Sequence, residues 1–375
     1  MSRRSTISEK VKYRLWVLAG GRCEFDNCNE PLWRDSLTMG QMNRAYIAHI
    51  YGVEPSSTRY DPVLSPQFAT DISNLMLLCD THHRLIDTEK PQEYTVERLQ
   101  IMKRSHERRI ELLTSIKEDK ASHILIYGAK IGLHDVSLSW EKAASAIVPY
   151  RYPAEPQCIE LGMTNTSHQD SSVSYWDIER KHLQQMFESR IRPRLASGEI
   201  QHLSVFALAP QPLLIELGRL ISDIPMADIY QLHREPQGWI WQPDETKLEL
   251  QIQEPEDRHE IVALNISLSA RIDNSRIIRD MNVDHSIWTL TAKNPGNDLI
   301  KCKEHLAQAR SALRDMFERI KYEHGPTTTI HLFPAMPASV AVELGRVWMP
   351  KADLPLHIYD EGRTGDGFTY ALSLD

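Results

Sequence analysis

The sequence predicts a small α+β module built around a zinc site, followed by a larger α/β part made of two similar halves. Three observations carry this. Residues 23 to 83 place three cysteines and a histidine pair at metal-ligand spacing. Beyond residue 120 a strand, a long helix, a second strand and a second helix recur in the same order. In the second strand and helix of each copy, Phe, Pro and Glu-Leu-Gly-Arg repeat at one offset of 127.

A chain of 375 residues is long enough for two or three domains, each with its own core. The opening Met-Ser-Arg-Arg-Ser has no apolar stretch behind it, so no secretory signal is expected. No run is long and apolar enough to span a bilayer, and no membrane partner is expected. Of the five cysteines, three fall to the zinc site, and Cys158 and Cys302 stand far apart. That usage predicts a reducing, cytoplasmic setting. The net charge of −8 is uneven: up to Lys117 there are 17 Lys and Arg against 15 Asp and Glu, and beyond it 26 against 36. A mildly basic first part can approach DNA, whereas the acidic remainder is poorly suited to long nucleic acid.

In chain order, Ser8 to Leu18 reads as a helix with Val11, Leu15, Trp16 and Leu18 apolar, stopped by Gly20-Gly21. Cys23 to Cys28 is a tight knuckle. Ala45-Tyr-Ile-Ala-His-Ile50 reads as a strand, and the Pro- and Ser-rich residues 52 to 70 as a loop. The densest stretch is Asp71-Ile-Ser-Asn-Leu-Met-Leu-Leu-Cys-Asp-Thr-His-His-Arg-Leu-Ile-Asp87. Its Leu75 to Leu78 run anchors a strand, and Cys79 and His82 form a C-x2-H half-site. Cys23 and Cys28 complete it. Three thiols and one imidazole are a closed tetrahedral set, the structural type of Zn2+ site. His49, Asn74 and His83 are left over; a purely structural zinc knuckle makes them three coincidences. From Thr95 a helix runs to about Ile116, carrying Lys103, Arg104, Arg108 and Arg109, either as a solvated face or toward a DNA backbone or the next domain.

The Ala-His-Ile segment, then Ser-Asn-Leu, then Leu-Cys-x-x-His-His resembles the HNH endonuclease motif of the ββα-metal fold, over roughly residues 20 to 90. The resemblance implies that His49 is the general base, that Asn74 holds the base loop, and that His83 binds a catalytic divalent ion such as Mg2+. The position before the base is Ala48, where many members carry an acidic or histidine ligand. Asp87, on the face of His83 if that segment is helical, is a candidate helper for the ion. The chemistry agrees: a neutral imidazole accepts a proton near pH 7, and a divalent cation neutralises phosphate charge.

The duplicated part begins near Glu118-Asp-Lys-Ala121. Phe206-Ala-Leu-Ala-Pro210 leads to Ile215-Glu-Leu-Gly-Arg219, and Phe333-Pro-Ala-Met-Pro337 to Val342-Glu-Leu-Gly-Arg346. Two longer helices, Trp176 to Leu195 and Leu299 to Tyr322, precede these and share Met-Phe-Glu. Earlier still, Ile124-Leu-Ile-Tyr-Gly-Ala-Lys-Ile131 parallels Asn265-Ile-Ser-Leu-Ser-Ala-Arg-Ile272. The pattern predicts two α/β halves, about 121–235 and 259–375, with mainly parallel sheets. In open α/β sheets ligands sit beyond the carboxyl ends of the strands. Lys130 and Arg271, just past strands read as equivalent, are therefore candidates for two ligand phosphates. Tyr127 and Trp140 are candidates for base stacking, and Pro210-Gln211 with Met336-Pro337 for the pocket floor.

This duplicated architecture behind an HNH nuclease resembles the SAVED domain, a fusion of two CARF-like (Rossmann-like) units. The whole chain then resembles the HNH–SAVED effectors of CBASS anti-phage systems, with a nuclease at 1–117 and a sensor at 118–375. The resemblance implies binding of a cyclic oligonucleotide, with a cyclic dinucleotide the expected form, assembly into a homo-oligomer, and degradation of double-stranded DNA. Two other readings compete. One is an HNH restriction enzyme whose C-terminal part reads DNA, which the acidic balance disfavours. The other is a non-catalytic nucleotide sensor, supported by Ala48.

Overall fold

The computed structural model describes residues 6–131, 138–162, 173–281, 283–362 and 367–375. The chain divides into two compact units, Met1–Lys117 and Glu118–Asp375. Among the described residues no helix is long and apolar enough to cross a membrane.

In the first unit, Ser8 caps α1 (Glu9–Leu18) by accepting from the Val11 N–H. The helix stops where Gly20 and Gly21 take positive φ, a backbone only glycine adopts without cost. β1 (Ala45–His49) runs into a long connection that carries α2 (Leu64–Phe68) and a 3-10 turn, Ile72–Asn74. The chain then returns as β2 (Leu75–Cys79), antiparallel to β1, with Ala45 opposite Cys79 and His49 opposite Leu75. All five β2 residues are buried, as their unbroken apolar run requires. α3 (Asp80–Arg84) follows directly and widens into a π-type turn, Leu85–Glu89. α4 (Val96–Thr114), capped by Thr95, closes the module. Leu15, Leu32, Ile50, Ile86 and Leu99 fill its core around β2. One of the basic residues read on the outer faces of α4 is turned inward: Lys103 is buried, 2.5 Å from Glu107 and 3.9 Å from Glu24.

The second unit is duplicated. Its first half contains β3 (Ala121–Gly128), α5 (Trp140–Ile147), the two-residue strands β4 (Tyr152–Pro153) and β5 (Ile159–Glu160), and α6 (Val173–Arg190). α7 (Arg192–Ala196), β6 (Leu203–Leu208), α8 (Gln211–Ile221) and β7 (Ala227–Tyr230) complete it. The single helix expected from Trp176 to Leu195 is in fact two. Pro193 has no N–H to give an inward hydrogen bond, so α6 ends and α7 restarts around it. A short hairpin, β8 (His233–Arg234) and β9 (Gln237–Gly238), leads out of this half. The second half has β10 (Leu250–Gln253), β11 (Val262–Ser267), α9 (Asn274–Met281), β12 (Ser286–Ala292) and α10 (Lys303–His324). It ends with β13 (Ile330–Ala335), α11 (Ala338–Val347), β14 (Leu356–Glu361) and β15 (Phe368–Leu374).

The first sheet runs β4-β3-β6-β7, with β5 also on β3, and is parallel throughout. The second runs β10-β12-β11-β13-β14-β15, parallel in the middle with antiparallel strands at both edges. Corresponding rings occupy corresponding places: Phe206 stacks on Tyr230 at 4.5 Å and Phe333 on Tyr359 at 4.7 Å. One apolar core crosses both halves, with α8 and α11 at its centre.

Where α8 meets α11, the repeated Glu-Leu-Gly-Arg explains itself. A Cβ on Gly218 would overlap the Val342 carbonyl oxygen, and a Cβ on Gly345 the Ile215 carbonyl oxygen. Ile215 and Val342 are themselves equivalent positions, so the crossing is reciprocal. Glu216 pairs with Arg219 and Glu343 with Arg346, each inside its own helix. Glu216 also accepts from Gln184 of α6, and Glu343 from Arg310 of α10, tying each long helix to the crossing. Backbone cannot retreat as a flexible side chain can. Gly218→Ala or Gly345→Ala is therefore expected to destabilise the second unit by about 1–3 kcal/mol, the usual cost of overpacking. Thermal unfolding measures this, and an unchanged melting temperature in both variants would refute the close crossing.

Candidate functional site

Among the described residues, two of the places that gather chemistry-bearing side chains hold residues singled out in the sequence. The first is at the β1–β2–α3 junction. Cys23 follows the Gly20-Gly21 turn and accepts a hydrogen bond at its sulfur from the Cys79 N–H at 3.4 Å. Cys28 returns toward it through a turn in which Asn27 has positive φ. Cys79 ends β2, and His82 lies one turn into α3 with Phe25 stacked on its ring at 4.0 Å. One donor atom from each of Cys23, Cys28, Cys79 and His82 falls within 4.8 Å of the others. His82 Nδ1 is the inward atom, 3.1 Å from Cys79 Sγ and 3.7 Å from Cys23 Sγ. Burial pushes the Cys23 and Cys28 thiols up, and the charge of Cys79 adds to it in both. Burial also lowers the pKa of His82, keeping its imidazole in the neutral form that ligates metal. Three crowded thiols and a neutral imidazole are a donor set that suits a soft divalent cation. All five cysteines are free thiols.

Of the three remaining residues of the motif, His83 adjoins this cluster on α3, while His49 and Asn74 lie at the other end of the β1–β2 ladder. His49 ends β1, and its Nε2 lies 3.0 Å from the Ala69 carbonyl oxygen. A carbonyl only accepts, so Nε2 carries the proton and Nδ1 holds the lone pair. Asn74 is buried and bridges to the residue two beyond His49. Its Oδ1 accepts from Tyr51 N–H at 2.6 Å, its Nδ2 donates to Tyr51 O at 3.3 Å, and its own carbonyl accepts from Ile50 N–H. The side chain thus clamps the chain leaving the histidine. His83 on α3 stacks on Tyr46 of β1 at 5.0 Å. Asp87 lies on the same face, with Oδ2 3.3 Å from His83 Nε2. Ala48 is buried, so the position before His49 offers no donor. Arg59, in the loop after β1, gives no sequence signal, yet its buried guanidinium reaches both His49 O and Asp87.

The second place is the carboxyl end of the two sheets. Gln211, the first residue of α8, accepts at Oε1 from the Met336 N–H at 3.2 Å, joining the two halves where Pro210-Gln211 and Met336-Pro337 meet. Gln231, after β7, accepts from both Ser339 N–H and Ser339 Oγ and so caps α11 from the other half. Sequence reasoning missed Gln231, since nothing local marks a residue that acts across the pseudo-symmetry.

Three expectations for this end are corrected. Strand register makes Gly128 neighbour Leu208 and Ser267 neighbour Ala335. Leu208 and Ala335 are equivalent, so Lys130 corresponds to Ser269, and Arg271 lies two residues further along. Arg271 is exposed. Tyr127 is fully buried, its hydroxyl without a partner, and serves the core rather than a stacking surface. Trp140 opens α5 and packs on the outer cluster around Ile124 and Phe206. Near Tyr127, Glu179 is buried with Oε1 unpartnered, and burial raises its pKa.

The family model for the SAVED domain, described as "SMODS-associated and fused to various effectors sensor domain", matches residues 183–374, just over half of the chain. The chain belongs to the SAVED family. Among solved structures, it is similar to the Acinetobacter baumannii Cap4 SAVED/CARF-domain containing receptor with the cyclic trinucleotide 3'3'3'-cAAA. The TM-score is 0.44 at 14% identity, over 75% of this chain and 60% of that one. The same receptor with 2'3'3'-cAAA has a TM-score of 0.44 at 14% identity, over 75% of this chain and 56% of that one. The Moraxella osloensis Cap4 receptor has a TM-score of 0.40 at 13% identity, over 75% and 61%. The chain thus spans about 60% of the length of these receptors. No curated protein matches it by sequence.

A Zn2+ ion on the four donors of the SAVED protein's first unit predicts that Cys79→Ser loses both the metal and the local fold, because structural zinc binding is coupled to folding. Zinc content by elemental analysis, read beside a melting curve, tests this. Full zinc occupancy with an unchanged melting profile would remove Cys79 from the ligand set.

Proposed function

We propose that this SAVED protein is a cyclic-oligonucleotide-gated, metal-dependent endonuclease that degrades double-stranded DNA in CBASS-type anti-phage defence, its first unit being an HNH module held by structural zinc. The observation that carries the reading is the arrangement around β1 and β2. At one end of the β1–β2 hairpin stand an imidazole with a free Nδ1 and an asparagine clamping the chain behind it; at the other, a four-donor cluster adjoins a second imidazole on α3, whose neighbour Asp87 is tied to the His49 carbonyl through Arg59. These are the parts phosphodiester hydrolysis needs. His49 Nδ1 takes a proton from water, the hydroxide attacks phosphorus, and the bond to the leaving oxygen breaks as that oxygen takes a proton from solvent, to which the imidazolium later returns its own. His83 would hold a Mg2+ ion, which supplies charge neutralisation on the phosphate and the leaving oxygen. With few protein donors nearby, waters and phosphate oxygens would fill the remaining positions, as is usual for this ion.

The second unit is the sensor. Family membership supports that role, and the cross-half contacts Gln211–Met336 and Gln231–Ser339 mark where a ligand would touch both halves. Lys130 is the basic residue at this end of β3 and would face a phosphate. Binding would favour a homo-oligomer in which nuclease modules meet, through tighter affinity for the assembled state.

The deciding experiment incubates plasmid DNA with the protein and Mg2+, with and without a panel of cyclic di- and trinucleotides. Cleavage is expected only with one of them, accompanied by a mass increase in light scattering. Cleavage without any nucleotide would point to a restriction enzyme, and none under any condition to a plain sensor. His49→Ala is expected to abolish cleavage while zinc content and nucleotide binding stay unchanged; wild-type rates in that variant would show that another group activates water. In calorimetric titration Lys130→Ala is expected to weaken nucleotide binding about tenfold, roughly 1.4 kcal/mol, and Arg271→Ala less. Equal affinity of Lys130→Ala and wild type would take Lys130 out of the pocket.

A further inference from the structure

Arg59 is the most fully engaged side chain of the first unit that the proposed chemistry leaves without a part. Its side chain is 4% exposed, and all three nitrogens are used. Nε donates to the Ile50 carbonyl at 3.0 Å and Nη1 to the Ile86 carbonyl at 2.7 Å. Nη2 donates to the His49 carbonyl at 3.3 Å and to Asp87 Oδ1 at 2.5 Å. Two of these partners leave the end of β1, where His49 sits. The other two belong to the π-type turn after His83. One planar fork therefore fastens the strand of one imidazole to the helix of the other.

The carboxylate of Asp87 is shared. Oδ1 receives Arg59, and Oδ2 lies 3.3 Å from His83 Nε2. Paired with a guanidinium, that carboxylate has no proton to give, and its negative charge 3.3 Å from His83 Nε2 favours the ring proton there and the lone pair on Nδ1. His49 has a hydrogen bond at the same ring nitrogen, from Nε2 to the Ala69 carbonyl. Both rings thus present Nδ1.

We propose that Arg59 is a positioning residue for His83. It orients Asp87, Asp87 holds His83 as the Nε2–H tautomer with Nδ1 as its ligand atom, and the same guanidinium keeps the end of β1 in register with that ring. The proposal rests on reading His83 as an ion ligand, and it recasts Asp87 from helper ligand to the carboxylate behind a ligating histidine, an arrangement that tunes many metal sites. Lysine cannot replace Arg59, because one ammonium cannot serve four acceptors on both sides. The sign of the effect is informative. A cation beside a site for a divalent ion repels that ion. If Arg59 were only a nearby charge, its removal would tighten ion binding; as a positioning residue, its removal weakens it.

The test uses the full-length, zinc-loaded protein with 15N-labelled histidine and two readouts: imidazole 15N shifts of His83, and Mn2+ titration followed by electron paramagnetic resonance. Wild type is expected to hold His83 as Nε2–H. Arg59→Gln is expected to populate both tautomers and weaken Mn2+ binding ten- to a hundredfold, with zinc content unchanged. Arg59 also serves three backbone carbonyls, so Arg59→Gln risks misfolding. Asp87→Ala leaves those bonds in place and is expected to give the same tautomer loss and the same weakening. A wild-type His83 in mixed or Nδ1–H form overturns the proposal, as does Mn2+ binding that tightens in Arg59→Gln. So does an unchanged tautomer in Asp87→Ala. A wild type that holds Nε2–H yet binds no Mn2+ supports the positioning and sinks the nuclease reading instead.

Discussion

The reciprocal crossing of α8 and α11 is the constraint on which the second unit depends. Two glycines let each helix press against the other's backbone, and the two flanking Glu–Arg pairs are drawn from the same four-residue motif. Because the contact is backbone to backbone, it has little play, and both helices project their first turns toward the carboxyl ends of the sheets. There Gln211 reaches across to Met336 and Gln231 to Ser339. The rigid crossing thus delivers two helix starts, one from each half, to one place.

The first unit solves a different problem. It is small, and its central strand β2 is buried along its whole length, so most of its residues are spent on enclosing five. The converging Cys and His donors come from two parts of the chain, the turn after α1 and the end of β2 with the helix that follows, and meet at one end of that strand. Metal binding there would substitute for core the module is too small to build. The same economy places His49 and His83: one ends β1, the other lies in the short helix after β2, and each has its Nε2 facing an oxygen acceptor.

Much of this was legible in the sequence, for physical reasons. The donors were readable because ligation demands residue types at fixed spacing. The duplicated α/β unit was readable because the crossing tolerates almost nothing but glycine at its centre, which kept Glu-Leu-Gly-Arg the same in both halves. The misreadings share a cause. Lys130 and Arg271 looked equivalent from a short match of apolar residues, but strand register, set by hydrogen bonding to β6 and β13, pairs Lys130 with Ser269. In the sequence Tyr127 flanks the loop after β3; in the structure it belongs to the buried core that also takes in Tyr175 and Leu183 of α6. Arg59 and Gln231 act across long sequence separations, where no periodicity carries a signal.

The capped start of α11 bears on how a sensor of this build can switch. A helix N-terminus with open N–H groups is a ready anion site, but here Ser339 N–H and its hydroxyl are already taken by Gln231 from the other half. A phosphate arriving at this turn must displace that amide, whereas one seated near Lys130 need not. The first case breaks a contact between halves and replaces it with one through the ligand; the second adds a contact and leaves the halves as they are. Only a ligand that contacts two arrangements differently can move their equilibrium. Displacement of Gln231 by a ligand would supply such a difference within the sensor itself, through a hydrogen-bonded pair of side chains at the point where the two halves join.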